Sequence, residues 1–354
     1  MPAHNTQPKA VEGDGERTRL MRVTLERGLT QVSGRPVRIR AFHSEFYPGS
    51  TSFRTEKLRV QLDDGRRLSV FFKDLNPRNL LHVARRIRAR ELHSSRLEWR
   101  MYRAFLSPER LGTPRLYASL WQPQRGLTWL FLEDVGNLEL NFVGKLEIWL
   151  AAARWAARLH AMTRHLPPAR TRFIPRLGRA HYRGCAEEAE RRFSALTQAE
   201  RRLMRQALDQ YRARAHRLTE LPQSVIHGQF FGGNILLRRW PAAQRITVVD
   251  WESAAYGPSY LDVVSLSSGR WTKRQKAALR NAYFEEYQAA TGKRLEWESF
   301  CRDLNDLGLY QALTYLAPTM RKTSIRYLVA KRKRWIRELR GLLEERGVCS
   351  TRPD

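Results

Sequence analysis

In the second half of the chain a polar, glycine-rich run sits between apolar segments. Val225-Ile226 leads into His227-Gly228-Gln229-Phe230-Phe231-Gly232-Gly233-Asn234, and Ile235–Leu237 follows. After a turn, Ile246–Val249 runs into Asp250-Trp251-Glu252. Two short strands joined in this way bring Asn234 and Asp250 to one end of a hairpin. A hard cation such as Mg²⁺ takes one or two protein oxygens and completes its shell with phosphate oxygens and water. An amide oxygen and a carboxylate converging across a hairpin suit that need. Asn and Asp are also ordinary turn residues; their joint placement beside apolar strands favours ligation.

The elements that must position this loop are legible by periodicity. Val60-Gln61-Leu62, Asp63-Asp64-Gly65 and Leu68–Phe72 read as a hairpin around an Asp-Gly turn. Leu97, Met101 and Phe105 are spaced as on a helix over about 94–106. Thr128–Leu132 reads as a strand, and Glu133–Asn137 as a polar connection. Beyond it the pattern turns helical: Ile148, Trp149, Ala152, Trp155, Ala156 and Leu159 form a buried stripe. Residues 187–218 form a charged helical stretch broken near Ala195–Thr197, and the chain is helical again from Lys273. The expected organisation is a disordered tail over 1–20, a β-rich lobe over 21–133 and a hinge at 134–137. A helical lobe over 138–346 and a tail over 347–354 complete it.

Together these motifs resemble the aminoglycoside phosphotransferase and choline kinase family, relatives of the protein kinases. HGQFFGGN is similar to the family's HGDxxxxN, and Asp250-Trp251-Glu252 to its aspartate–apolar–acidic motif. Gly257-Pro258 with Asp262 matches its GPxxxD, and Arg158-Leu159-His160 its Leu-His at a core helix end. The resemblance implies an α+β, bilobal protein-kinase-like fold with a β-rich N-lobe and a mainly helical C-lobe. It implies Mg²⁺ on Asn234 and Asp250, with ATP as phosphoryl donor and GTP left open. His227 and Asp262 then brace the catalytic loop.

The same resemblance organises the first third. Lys73 is similar to the strand lysine that holds the α- and β-phosphates, and Glu98 to its helical glutamate partner, with Glu91 a rival. No GxGxxG loop is present, as in aminoglycoside phosphotransferases. In its place Ser50, Thr51 and Ser52 offer hydroxyls and N–H groups to phosphates, or simply make a hairpin turn. Glu133 and Val135 lie where the family's main chain reads adenine.

One residue departs from the family pattern. Gln229 stands where the catalytic aspartate or glutamate is expected, and an amide is too weak a base to take a hydroxyl proton. General-base assistance is worth roughly 10²–10⁴-fold, whereas positioning and charge neutralisation dominate a loose phosphoryl-transfer transition state. The implied activity is therefore a slow small-molecule kinase, with a nucleotide-binding pseudokinase as the alternative. Glu252 and Asp262 are the other carboxylates to consider as bases; second-sphere support of the metal and loop bracing are their more ordinary roles.

Charge restricts the partners. The 354-residue chain carries 64 Lys+Arg against 35 Asp+Glu, a formal +29. Such a field attracts phosphates, nucleic acid and anionic membrane and repels polycations. The arginines are spread along the chain, so a solvated basic surface accounts for them equally well. They gather near the C-terminus, where Arg321, Lys322, Lys331, Arg332, Lys333 and Arg334 accompany an apolar stripe of Ile325, Leu328, Val329, Ile336, Leu339 and Leu343. Packing of that stripe on the domain is preferred over binding nucleic acid or an anionic membrane surface. The expected partners are a nucleotide and a neutral or anionic small-molecule acceptor. Glu285, Glu286, Asp303 and Asp306 would have to supply an acidic pocket for a polycation; pairing on helix surfaces is their commoner use. Cys185, Cys301 and Cys349 fit no disulfide framework, no run is long enough to cross a membrane, and a cytoplasmic protein is expected.

Overall fold

In the computed structural model, which describes residues 13–49, 52–81, 95–192, 196–238, 246–320 and 326–345, Gly65 turns the predicted hairpin at φ 84°. Its flanking strands are β2 (Thr55–Leu62) and β3 (Arg67–Asp74), paired from Thr55↔Lys73 to Gln61↔Arg67. With β1 (Ile39–Tyr47), β4 (Leu116–Gln122) and β5 (Leu127–Glu133) they build a five-stranded antiparallel sheet ordered β1-β2-β3-β5-β4. One face carries Leu58, Val60, Val70, Phe72, Trp129 and Phe131, all nearly inaccessible to solvent. Burying each such side chain contributes roughly 1.5–3 kcal/mol.

A helix, α1 (Gly13–Ser33), covers that face with Met21, Leu25 and Leu29. This corrects the expected tail over 1–20, since residues 13–20 are helical; residues 1–12 lie outside the described set. Residues 16–19 of α1 are polar and mostly exposed, so only the stripe Leu20, Met21, Leu25, Leu29 reveals it. Ser50 and Thr51 also lie outside the described residues, as does Glu91.

The chain divides into two units. The sheet unit ends at Asp134, and residues 95–113 cluster with the second unit rather than with the sheet. The expected 21–133 lobe therefore gives up α2 (Ser95–Ala104). The second unit continues with α3 (Leu146–Thr163), α4 (Arg179–Glu190) and α5 (Gln198–Arg214). A small β insertion follows: β6 (Gln223–Ile226), β7 (Ile235–Leu237), β8 (Ile246–Val248) and β9 (Ala255–Pro258). Helices α6 (Leu261–Leu266), α7 (Lys273–Thr291), α8 (Trp297–Leu316) and α9 (Arg326–Glu345) complete it. This is the α+β class expected, β-rich first and helical second.

Alanines 152, 153, 156 and 157 on α3 are fully buried, and this small-residue surface lets α7 pack closely along the helix. α9 packs on α8 and α5 through Leu328, Trp335, Leu339, Leu342 and Leu343. Its expected stripe is thus shifted: Val329 is 38% exposed, and Trp335 is the large anchor. Cys301 on α8 is disulfide-bonded, against the expectation that no cysteine pairs, and Cys185 is a free thiol. Among the described residues no helix is long and apolar enough to cross a membrane.

Candidate active site

The loop from His227 to Asn234 leaves β6 and enters β7, and a buried carboxylate fixes its shape. Asp262, at the start of α6, is wholly buried. Its Oδ2 accepts the His227 main-chain N–H at 2.7 Å, and its Oδ1 accepts the Gly228 N–H at 3.0 Å. His160, at the end of α3, reaches the same Oδ2 through Nε2 at 3.0 Å. Burial pushes the Asp262 carboxyl up, but the hydrogen bond and charge of His160 and the His227 main-chain N–H hold it below the ordinary aspartate value. Gly228 has φ 78°, and a Cβ there would meet the Ser253 carbonyl oxygen at 2.2 Å. Only glycine lets the loop pass at this point.

His227 is committed on both ring nitrogens. Nε2 lies 2.9 Å from the Val249 carbonyl, an acceptor, so Nε2 carries the proton. Nδ1 then accepts the Gln229 main-chain N–H at 3.3 Å. A ring held in this way ties the loop to the strand before Asp250 and has no lone pair left for a substrate proton. Trp251 packs edge-on against it at 4.9 Å, and Phe230 stacks on Trp155 at 5.6 Å.

Across the β7–β8 hairpin, Ile235 pairs with Val248, and the Val249 N–H donates to the Asn234 carbonyl at 3.0 Å. The Asn234 side chain donates through Nδ2 to the Gln229 carbonyl at 2.9 Å. That acceptor fixes which end of the amide faces the loop, so Oδ1 is the end turned to other partners. Asp250 has φ 69° and ψ 57°, and is the one non-glycine residue at positive φ among those described. Such a conformation costs about 1 kcal/mol or more, and residues held this way cluster at functional sites.

Glu98, Asp250 and Glu252 each offer a carboxylate oxygen, and the three oxygens lie within 4.8 Å of one another. Glu98 and Glu252 are buried, at 1% and 6% exposure. At that separation, in an effective dielectric of about 20, two full charges repel by about 3 kcal/mol. A divalent cation bound among them would offset that repulsion. The donor set is entirely oxygen, which fits a hard divalent ion such as Mg²⁺ or Ca²⁺ and not a soft one. Sequence reasoning had Asn234 and Asp250 for the metal, Glu98 for Lys73, and Glu252 in a supporting role. The convergence of Glu98 on Asp250 and Glu252 was missed, because no local pattern links residues so distant along the chain.

In the sheet unit, Lys73 is buried on central strand β3, opposite Thr55 on β2 and Leu130 on β5. The Ser52 carbonyl accepts the Leu81 N–H at 3.0 Å. Glu133 ends β5, where its carboxylate accepts the Arg115 N–H at 3.1 Å and its own N–H donates to the Arg115 carbonyl. Val135 begins the longer segment of the second unit.

The acidic residues of the C-terminal half are met by arginines. Glu286 pairs with Arg158 at 3.1 Å and Asp306 with Arg214 at 3.0 Å, while Arg217 reaches Asp303 at 3.8 Å. Glu285 accepts from Asn281 at 3.0 Å. Glu286, Asp303 and Asp306 are thus engaged by arginines, with Asp306 buried.

Residues 59–297 match the APH phosphotransferase enzyme family, and the chain belongs to that family. Among solved structures it is similar to the AMP-bound complex of a spectinomycin phosphotransferase, at 11% identity and a TM-score of 0.58, covering 92% of this chain and 97% of that one. It is also similar to a microcompartment-associated aminopropanol kinase, at 16% identity and 0.57 over 86% and 92% of the two chains. An amicoumacin kinase in complex with AMP-PNP, Ca²⁺ and Ami aligns at 13% identity and 0.56 over 84% and 88%. No curated protein matches the sequence. The fold is the bilobal protein-kinase-like one, and the family makes the chain a small-molecule phosphotransferase.

Proposed function

We propose that the protein transfers the γ-phosphoryl group of ATP to a hydroxyl of a small neutral or anionic molecule, such as a sugar or other hydroxylated metabolite. The observation that supports this most is the gathering of Glu98, Asp250 and Glu252 near the loop that orients the Asn234 amide. Asn234 and Asp250 would hold Mg²⁺, which when bound neutralises phosphate charge; Glu98 and Glu252 add negative potential beside it. Lys73 is assigned to the α- and β-phosphates, Ser50, Thr51 and Ser52 to phosphate contacts, and Glu133 and Val135 to adenine. AMP and AMP-PNP in the relatives' complexes agree with a nucleotide donor, and ATP as donor suits a cytoplasmic protein.

In the transfer, the acceptor oxygen bonds to the γ-phosphorus as the bond to the β–γ bridging oxygen breaks, and ADP leaves with the electron pair. Gln229 accepts a hydrogen bond from the acceptor hydroxyl but not its proton, which passes to a phosphoryl oxygen or water. Loose phosphoryl-transfer transition states tolerate late proton loss, so a slow enzyme results. The same replacement favours a second reading, a pseudokinase that binds nucleotide without turnover.

A thermal-shift titration with Mg·ATP, paired with an acceptor screen, tests both. Binding to the native state alone adds RT ln(1 + [L]/Kd) to stability, so the transition rises with Mg·ATP. Turnover on a hydroxylated acceptor removes the pseudokinase reading; failure of Mg·ATP to bind overturns both.

A further inference from the structure

Behind Gln229 the loop meets an aromatic and cationic wall. Phe231 packs edge-on against Tyr315 of α8 at 5.4 Å and against Trp335 of α9 at 6.3 Å. Tyr315 and Trp335 stack at 4.9 Å with their planes 7° apart. Two cations of α9 lie over these rings: Lys331 Nζ is 5.2 Å from the Tyr315 centroid, and the Arg334 guanidinium is 5.3 Å from Trp335 and 5.7 Å from Phe231. The Gln229 side chain reaches the same Tyr315; burial pushes that phenol well up, and Arg334 and Gln229 pull it back.

Charge at this wall is one-sided. Among the described residues neither Lys331 nor Arg334 forms an ion pair with a carboxylate, and Arg334 donates to the Ser268 hydroxyl at 3.0 Å. Nearby acids are turned elsewhere: Glu338, one turn along α9, accepts the Gly269 N–H at 2.6 Å, and Asp262 is consumed by the loop. Arg332, between the two cations in sequence, is spent on Glu200 of α5. Two cations held over aromatic rings are oriented by the ring quadrupoles and keep their donors for an outside anion.

We propose that Lys331 and Arg334 form an anion subsite over the Phe231–Tyr315–Trp335 rings, so that the acceptor carries a carboxylate or phosphate besides its reacting hydroxyl. The inference rests on the phosphotransferase reading, which makes Gln229 the acceptor-facing residue, and narrows its acceptor from neutral or anionic to anionic. Burial, with the charge of Arg334, brings the Lys331 amine down to about 8, so an incoming anion relieves an unfavourable pairing of like charges. A polycationic acceptor would meet repulsion at the same wall.

The test uses four probes on one pyranose skeleton: glucuronate, glucose 6-phosphate, glucose and glucosamine. Calorimetry on the full chain, with and without Mg·AMP-PNP, reads their affinities. At least one anionic probe should bind about tenfold tighter than glucose, the worth of one charge-assisted hydrogen bond, with glucosamine weakest. The two anionic arms separate carboxylate from phosphate. Lys331→Ala with Arg334→Ala should erase the order and leave Mg·AMP-PNP affinity unchanged, while Lys331→Arg retains it. Anionic probes no tighter than glucose, or an order that survives the double substitution, overturns the subsite. Loss of Mg·AMP-PNP binding by the unaltered protein would overturn the phosphotransferase reading instead, and the probe order reads the subsite either way.

Discussion

The Asn234 side chain donates to the Gln229 main-chain carbonyl at 2.9 Å. The loop residue that lacks the expected carboxylate therefore orients the Asn234 amide, proposed as a Mg²⁺ ligand, through its backbone alone. Side-chain chemistry at position 229 and the orientation of the position 234 amide are separable.

That separation predicts the effect of restoring a carboxylate. Gln229→Glu and Gln229→Asp should raise kcat by roughly 10²–10⁴-fold, the usual worth of a general base, with Mg·ATP affinity nearly unchanged. Steady-state kinetics on the best acceptor, beside a nucleotide-binding titration, checks it. Two variants that bind acceptor yet turn over no faster than the original would show that proton removal does not limit this enzyme.

The carboxylate cluster predicts a stability–function conflict. Asp250→Asn keeps a residue that tolerates the left-handed backbone and removes one of three mutually repelling charges. Relief of the repulsion from Glu98 and Glu252 should raise the Tm of the cation-free protein. Mg²⁺ should stabilise the original protein, and this response should shrink in Asp250→Asn and in Glu98→Gln. Scanning calorimetry with and without Mg²⁺ reads both effects, and a lowered cation-free Tm in Asp250→Asn would contradict the repulsion.

Much of this site was legible because its parts are local. Gly65 marks a two-strand turn by residue type, and the loop from His227 to Asn234 carries its glycines and polar ends within eight positions. What was illegible depends on distance or exposure. Glu98 joins Asp250 and Glu252 only through the packing of α2 within the second unit. Residues 16–19 of α1 look like a tail because they mostly face water, and their helicity depends on Met21 and Leu25 further along. Val329 fits the periodicity of α9 as well as its neighbours do, yet stays exposed, since Trp335 sets which face of α9 is buried.

Asp303 on α8 gives stability a pH dependence of its own. Burial raises its carboxyl from 3.8 to about 6, with Arg217 opposing and Asp306 adding to the rise. A raised folded-state value means the protonated form is favoured on folding. Its contribution is fully present below about pH 4 and is lost as pH climbs through about 6. A shift of about two units is worth at most about 3 kcal/mol. Asp303→Asn, which cannot ionise, should therefore flatten the fall in urea-unfolding stability between pH 4 and 6.5. An unaltered slope would show that Arg217 already compensates the charge.

Asp262 gives the opposite sign. Burial works against its charge, but the hydrogen bond and charge of His160 and the His227 main-chain N–H hold the carboxyl below its ordinary value. A depressed acid stabilises the fold above its unfolded value, near 3.9, and that stabilisation is lost as pH falls through the folded one. Asp262→Asn presents an N–H₂ where a carboxylate oxygen now accepts, so the His227 or Gly228 N–H, or His160, loses its partner. Removing one member of a buried charged network costs about 3–5 kcal/mol. The variant should be less stable at pH 7 by that order and should lose less on going from pH 5 to pH 3. Because Asp262 sets the course of the loop and His227 ties it to Val249, Mg·ATP affinity should fall as well. Urea unfolding across that pH range, with a nucleotide titration at pH 7, separates the two effects. Unchanged stability at pH 7 would mean that the loop is held by the hairpin and not by this carboxylate.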